Sequence, residues 1–485
     1  MIVLQRKPSN LDRRDFLKVG GLSTIALLGT TGILSFPGTQ SLMAASNKNQ
    51  DSIFNGYGKL QKDPGGILDL PSGFQYRIIS EEGGQLSDGR PIPSAFDGMA
   101  AFPGKHNSTV LVRNHELTGN TSYPVIGKNP YDKDNTGGTT ALVVGPNRKV
   151  IDEYVSSSGT IRNCAGGGTP WGTWLTCEET LERGHGYVFE VDPNDPENKR
   201  SRTPIREMGA FSHEACDVDP ATGMVYLTED SSPSFLYRFI PVDPSPRPGA
   251  LQKGGTLQAA AYEETPNRHA ESLYPHKKYN VIWKTINPEK ASDDAEAKGC
   301  IQFSRLEGSQ FSAGVFWFSD TSARSSTGEQ GRIYRYIPAT NQLELFYEAA
   351  SANEMEMPDN LCITPWGDVW FVEDGPGNDR VMGITPEGQV YQFAENKLND
   401  SELAGPTFSP DGRTFFVNMQ TPGITFAIWG PFARRNAGRQ RQMAHAAPPA
   451  GLGPSVSGEL TAFAEQQGMS DLEVAALERH GVPIL

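Results

Sequence analysis

The sequence predicts an all-β chain folded as a six-bladed β-propeller-like structure, with insertions and a short helical C-terminal tail. Three observations carry this. The 485 residues include 52 Gly and 36 Pro, with 37% hydrophobic and 21% charged residues. That make-up suits many short strands joined by many turns. A unit also recurs, in which a turn containing Gly, usually with Pro, leads into a β-branched or aromatic run ending on an acidic residue or Asn. Finally, the turn glycines fall at 104, 172, 223, 314, 367 and 412, with gaps of 68, 51, 91, 53 and 45. A four-stranded blade takes about 40–50 residues, so the shorter gaps fit one blade each and the longer ones are blades with insertions.

In chain order, residues 1–45 form a targeting segment. Asp12-Arg13-Arg14-Asp15-Phe16-Leu17-Lys18 is a twin-arginine pattern, an apolar stretch runs from Val19 to Phe36, and cleavage is expected near Ala44-Ala45. The expected partner is therefore the twin-arginine export machinery. The expected location is periplasmic or secreted, with no stable membrane span after cleavage. Residues 46–435 form the propeller domain, opening with a polar lead-in over 46–65. The recurring runs are 110–116, 174–179, 225–230, 315–320, 369–374 and 414–418, and residues 187–191, 235–239 and 332–337 read as outer strands. Residues 241–300 read as a long insertion, helical or irregular at 268–273 and 288–291. The strand pattern stops after Trp429, and 436–485 is a tail with a short helix from Ser470 to His480, stopped by Gly481 and Pro483.

The net charge of -14 argues against a nucleic-acid partner, because phosphate backbones need Lys and Arg. It permits cation binding. The composition also excludes a multi-span membrane protein and a coiled coil. There is no G-x-S-x-G elbow, no Walker A loop, no G-x-G-x-x-G opening a helix and no H-E-x-x-H. Asp132 to Gly137 opens like an EF-hand loop, but its twelfth position is Val143, which removes the bidentate Glu.

The chemistry is expected at one mouth of the central channel, where equivalent strand ends converge. Glu116, Glu178, Glu229, Asp230, Asp320, Glu373 and Asp374 hold such positions. Carboxylates brought together repel unless a cation neutralises them, and oxygen-rich clusters suit Ca2+. Cys177 stands in the same register, and a thiolate beside carboxylates points to a transition metal such as iron. In His115-Glu116 and His213-Glu214 the strand context makes the Glu side chains the ligands. Asp359-Asn360 offers a carboxylate and an amide oxygen. Arg305 and Glu307, two apart on a strand, face the same side, so a metal and an anion could be held together.

The stretch 163–179, Asn-Cys-Ala-Gly-Gly-Gly-Thr-Pro-Trp-Gly-Thr-Trp-Leu-Thr-Cys-Glu-Glu, resembles the cysteine motif of the PhoX family of exported bacterial alkaline phosphatases. Phe96-Asp97-Gly98-Met99, Asn114-His115-Glu116, Phe211-Ser212-His213-Glu214, Pro358-Asp359-Asn360-Leu361 and residues 405–412 are similar as well. The resemblance implies an iron pair (Fe3+) and calcium ions (Ca2+) at the channel mouth, and a small phosphate ester as substrate. It implies Cys177, Glu214 and Glu307 as iron ligands and Arg305 as the phosphate-binding residue. Glu116, Glu178, Asp230 and Glu373 are implied for calcium, with Asp97 and Asp359 joining the metal-binding set. On this reading Cys177→Ala abolishes iron loading. The chain departs from the family where Arg305-Leu306-Glu307 replaces Arg-Pro-Glu and where Gln420-Thr421-Pro422-Gly423 replaces Gln-His-Pro-Gly.

The function expected is periplasmic hydrolysis of phosphate monoesters by a metal-dependent phosphatase. Two alternatives share the carboxylate mouth. One is a calcium-dependent propeller hydrolase of phosphotriesters, phosphodiesters or lactones, which iron content separates from the first. The other is a non-catalytic metal-binding propeller, which turnover separates.

Overall fold

The computed structural model describes residues 56–197, 199–263, 269–321 and 330–432. The readings of the leader (1–45) and of the tail (436–485) lie outside these residues.

Six short strands with small or acidic residues at their starts line the middle of the molecule. They are Phe96–Pro103, Asn163–Gly168, His213–Val218, Leu306–Ser312, Pro358–Ile363 and Leu403–Phe408. Each packs against the next and the last against the first, which closes a ring. Each begins a run of antiparallel strands leading outward, so blades one to six are numbered in this order.

The recurring runs seen in the sequence are the second strands of these blades: Thr109–His115, Trp174–Glu178, Val225–Glu229, Val315–Asp320, Val369–Glu373 and Phe415–Met419. The turn glycines lie in the hairpins that precede them. Gly172 (φ 86°) and Gly367 (φ 100°) have left-handed backbones that a Cβ would strain.

Among the described residues the hydrogen-bonded sheets number five, not six. Lys278–Thr285 pairs with Gly255–Tyr262 of blade three on one edge and with Gln342–Glu348 of blade four on the other, fusing two blades into nine strands. Two of these strands lie in the segment read as an insertion. Its low β-propensity run Ala259-Ala260-Ala261 is buried and paired with Lys284, Trp283 and Ile282. Among the described residues of that segment, helical structure is limited to one α-helix, Ala291–Ala297, and short 3-10 turns.

The segment that follows the polar lead-in also contributes strands. Leu68–Pro71 extends blade five, and Gln75–Glu81 pairs with Ile424–Trp429 to complete blade six. Segments near the chain's two described ends thus meet in one sheet, which pairs the edge of Ile424–Trp429. Buried Arg113 of blade one locks this closure. It donates to Ser80 and Thr425 Oγ1 of blade six at 3.0 and 2.7 Å and pairs with buried Glu153 at 3.0 Å.

The ring is tight because its strands carry small residues. A Cβ on Gly167 would lie 1.8 Å from the Cys216 carbonyl oxygen, and one on Gly308 would lie 2.4 Å from the Asn360 Cα. The apolar core lies between the blades, where aromatic residues such as Trp370, Phe393 and Phe415 pack edge to face or tilted.

Candidate metal centre

The second residue of each inner strand is, in order, Asp97, Cys164, Glu214, Glu307, Asp359 and Ala404. In the first five blades the ladder to the second strand slips at this point, between Phe96 and Met99, Asn163 and Gly166, His213 and Cys216, Leu306 and Ser309, and Pro358 and Leu361. Such a bulge re-aims a side chain out of strict alternation. Five polar groups are therefore presented at one end of the ring.

A second set comes from the residues that directly follow the second strands of blades one to three: Glu116, Glu179 and Asp230. The two sets interleave. Asp97, Glu116 and Cys164 form one group, Cys164, Glu179 and Glu214 another, and Glu214, Asp230 and Glu307 a third, with donor atoms in each within 4.8 Å of one another. The groups run into a chain through their shared members, Cys164 and Glu214.

Burial makes this arrangement costly without a cation. It pushes the Glu214 carboxyl well above the usual range, and Glu307, Asp359, Glu179 and Asp97 push it further. Burial likewise pushes the Cys164 thiol up, helped by Asp97 and Glu214. Glu214 Oε2 is buried and meets no hydrogen-bond donor of the protein. An orphaned carboxylate oxygen among carboxylates and a thiol is a donor set that fits metal ions.

Arginines border the centre. Arg305 donates from Nε and Nη2 to both oxygens of Asp230 at 2.9 and 2.7 Å, and from Nη2 to Glu307 Oε1 at 2.9 Å. Arg305 and Glu307 thus share one side of the strand. Arg162 Nη2 donates to Glu116 Oε1 and Glu179 Oε2, each at 2.7 Å. Gln420 Nε2 donates to Glu116 Oε2 at 2.7 Å.

Of the residues singled out in the sequence, Asp97, Glu116, Glu214, Asp230, Glu307 and Arg305 come together here. Asp359 sits beside them, its Oδ1 accepting from Asn360 Nδ2 at 2.9 Å. Three of the others, Cys177, Glu178 and Glu373, do not join. Cys177 is fully buried in the apolar core, with its Sγ 3.8 Å from Cys216 Sγ, so the thiol facing the carboxylates is that of Cys164. Glu178 turns inward, where His185, Ile161 N, Gly186 N and Tyr187 N engage both its oxygens. Its neighbour Glu179 takes the mouth position. Glu373 is clamped by Arg380 at 2.6 and 2.8 Å.

The histidines of the His-Glu pairs face away. His115 contacts Ser94 O and Thr140 Oγ1, and His213 stacks on Phe211 with burial lowering its pKa to about 3. Cys164, Glu179 and Arg162 were missed. The signal for Cys164 was available, since Asn163-Cys164 precedes small residues as Phe96-Asp97 and Leu306-Glu307 do.

The fold and site define a β-propeller with a chain of metal-donor groups at one end of its channel. The family model described as alkaline phosphatase PhoX matches residues 55–423. The chain belongs to the PhoX alkaline phosphatase family and is a phosphatase. Among solved structures, PhoX of Pseudomonas fluorescens in complex with vanadate, a transition-state analogue, is 19% identical with a TM-score of 0.59, covering 75% of this chain and 96% of that one. It shares the fold. A gluconolactonase from Xanthomonas campestris (11% identity, TM-score 0.35, 75% and 97% covered) and virginiamycin B lyase from Staphylococcus aureus (11%, 0.37, 73% and 99%) are more distant. No curated protein matches the chain. No helix among the described residues is long and apolar enough to cross a membrane.

Proposed function

We propose that the chain hydrolyses phosphate monoesters outside the cytoplasm, after export by the twin-arginine route, using calcium and iron held at the mouth of the ring. The observation that carries this reading is the presentation of Asp97, Cys164, Glu214, Glu307 and Asp359 from equivalent positions of five blades, next to the guanidinium of Arg305.

Asp230 and Glu307 offer the hard oxygen donors that suit calcium. Cys164 with Glu214 offers the thiolate-carboxylate pair that suits iron. Bound cations supply Lewis-acid polarisation of the phosphoryl oxygens. The protein's own contribution is positional. Asp230 fixes the guanidinium plane of Arg305 by two hydrogen bonds, so its positive charge is in place before a phosphate arrives. The Arg305 side chain is 23% exposed at the mouth, within reach of an entering anion. A bare cluster of carboxylates would repel a phosphate dianion, so catalysis requires the centre to be loaded.

The test is phosphate release from p-nitrophenyl phosphate by the mature chain, with bis-p-nitrophenyl phosphate as the diester control. Release from the monoester should disappear with chelator and return with calcium and ferric ion. A fully metal-loaded chain that releases nothing from the monoester would count against the proposal. Faster release from the diester would move the assignment to another ester class.

A further inference from the structure

We propose that Arg162 is a built-in cation of this centre, standing in for a divalent ion between Glu116 and Glu179. The inference rests on the metal-centre reading and concerns how many ions the centre takes.

Arg162 immediately precedes the inner strand of blade two, and its backbone is left-handed with φ 47°. That conformation is strained for a residue with a Cβ and persists only where the surroundings hold it. The holding groups are on either side of the carboxylates concerned. Arg162 N–H donates to the Leu117 carbonyl at 3.0 Å, next to Glu116, and Glu179 N–H donates to the Arg162 carbonyl at 2.9 Å. The side chain is thereby aimed between the two acids. One nitrogen, Nη2, carries two protons and gives one to each carboxylate at 2.7 Å.

These acids belong to the two donor groups that share Cys164. A divalent ion placed between them would meet a fixed positive charge at contact distance, and like charges there repel strongly. The demand for an external cation lies elsewhere in the chain of groups, at Glu214, whose Oε2 is buried without a donor. Glu116 has both oxygens engaged by the protein itself, through Arg162 and Gln420. Arg162 thus neutralises Glu116 and Glu179 from within, and Glu214 is left for metal.

The experiment counts calcium ions bound per chain by equilibrium dialysis and elemental analysis, starting from the metal-free full chain. Arg162→Ala should bind one more calcium ion than the unaltered chain, and Arg162→Lys the same number as the unaltered chain. Circular dichroism verifies folding, and Arg162→Met carries the same expectation as alanine if the alanine variant does not fold. Neutral variants that bind the same number of ions as the unaltered chain, or fewer, overturn the proposal while leaving the metal centre intact. An unaltered chain that binds no divalent cation overturns both readings.

Discussion

Cys164 Sγ lies 3.7 Å from Asp97 Oδ2, although the two residues are 67 apart in the chain. One begins the inner strand of blade two and the other that of blade one, each at the second position. The ring, not the local sequence, makes them neighbours.

The two cysteines of the motif should therefore separate experimentally. Cys164→Ser should lose bound iron and phosphatase activity together. Cys177→Ala should keep its iron and lose about 1 kcal/mol of stability, as for loss of a buried apolar contact. Iron per chain and urea unfolding of both variants check this. Iron loss confined to Cys177→Ala would overturn the assignment.

Closure of the ring should depend on Arg113. It is fully buried against Glu153, and its guanidinium lies 3.4 Å from the Phe96 ring centroid. Arg113→Met leaves Glu153 as a buried unpaired charge, which costs about 3–5 kcal/mol. The midpoint of denaturant unfolding should fall accordingly. A change below about 1 kcal/mol, the scale of an exposed pair, would show that the pair contributes little.

Close packing of the ring should make Gly308 intolerant. Its Cβ would meet the Asn360 Cα at 2.4 Å, and Asn360 in turn holds Gly405 N at 2.8 Å and contacts Glu214 Oε1 at 3.4 Å. Gly308→Ala should cost at least about 1–3 kcal/mol from overpacking and weaken calcium binding as well. Thermal melting and calcium titration of the variant measure the two effects. Unchanged values would mean that the strands can move apart without loss.

Stability should vary with pH through Asp379. Burial raises its carboxyl pKa to about 9, with neighbouring Asp374, Glu373 and Glu356 adding to the shift. A folded-state pKa above the unfolded one means that stability is fully present below the ordinary value of 3.8 and is lost as pH rises through about 9. Asp379→Asn mimics the protonated acid. Its melting temperature should exceed that of the unaltered chain at pH 8 and equal it at pH 3. A variant less stable at pH 8 would show that the ionised form is the one held in the fold.

Much of this molecule was legible in its sequence. Six turn glycines and the runs after them marked six second strands, because hairpin turns and alternating burial leave local signatures. The carboxylates Asp97, Glu116, Glu214, Asp230 and Glu307 were legible from motif and register. Tertiary structure alone decided the rest. Gln75–Glu81 joins blade six because pairing partners more than 300 residues apart have no local signature. Lys278–Thr285 fuses two blades because its edges meet strands on either side. Cys164 takes the place expected of Cys177 because the bulge in the inner strand aims it into the channel, and Glu179 takes that of Glu178 because adjacent residues point to opposite sides. The sequence determined which residue types the centre draws on. The ring of bulged inner strands decided which of them meet.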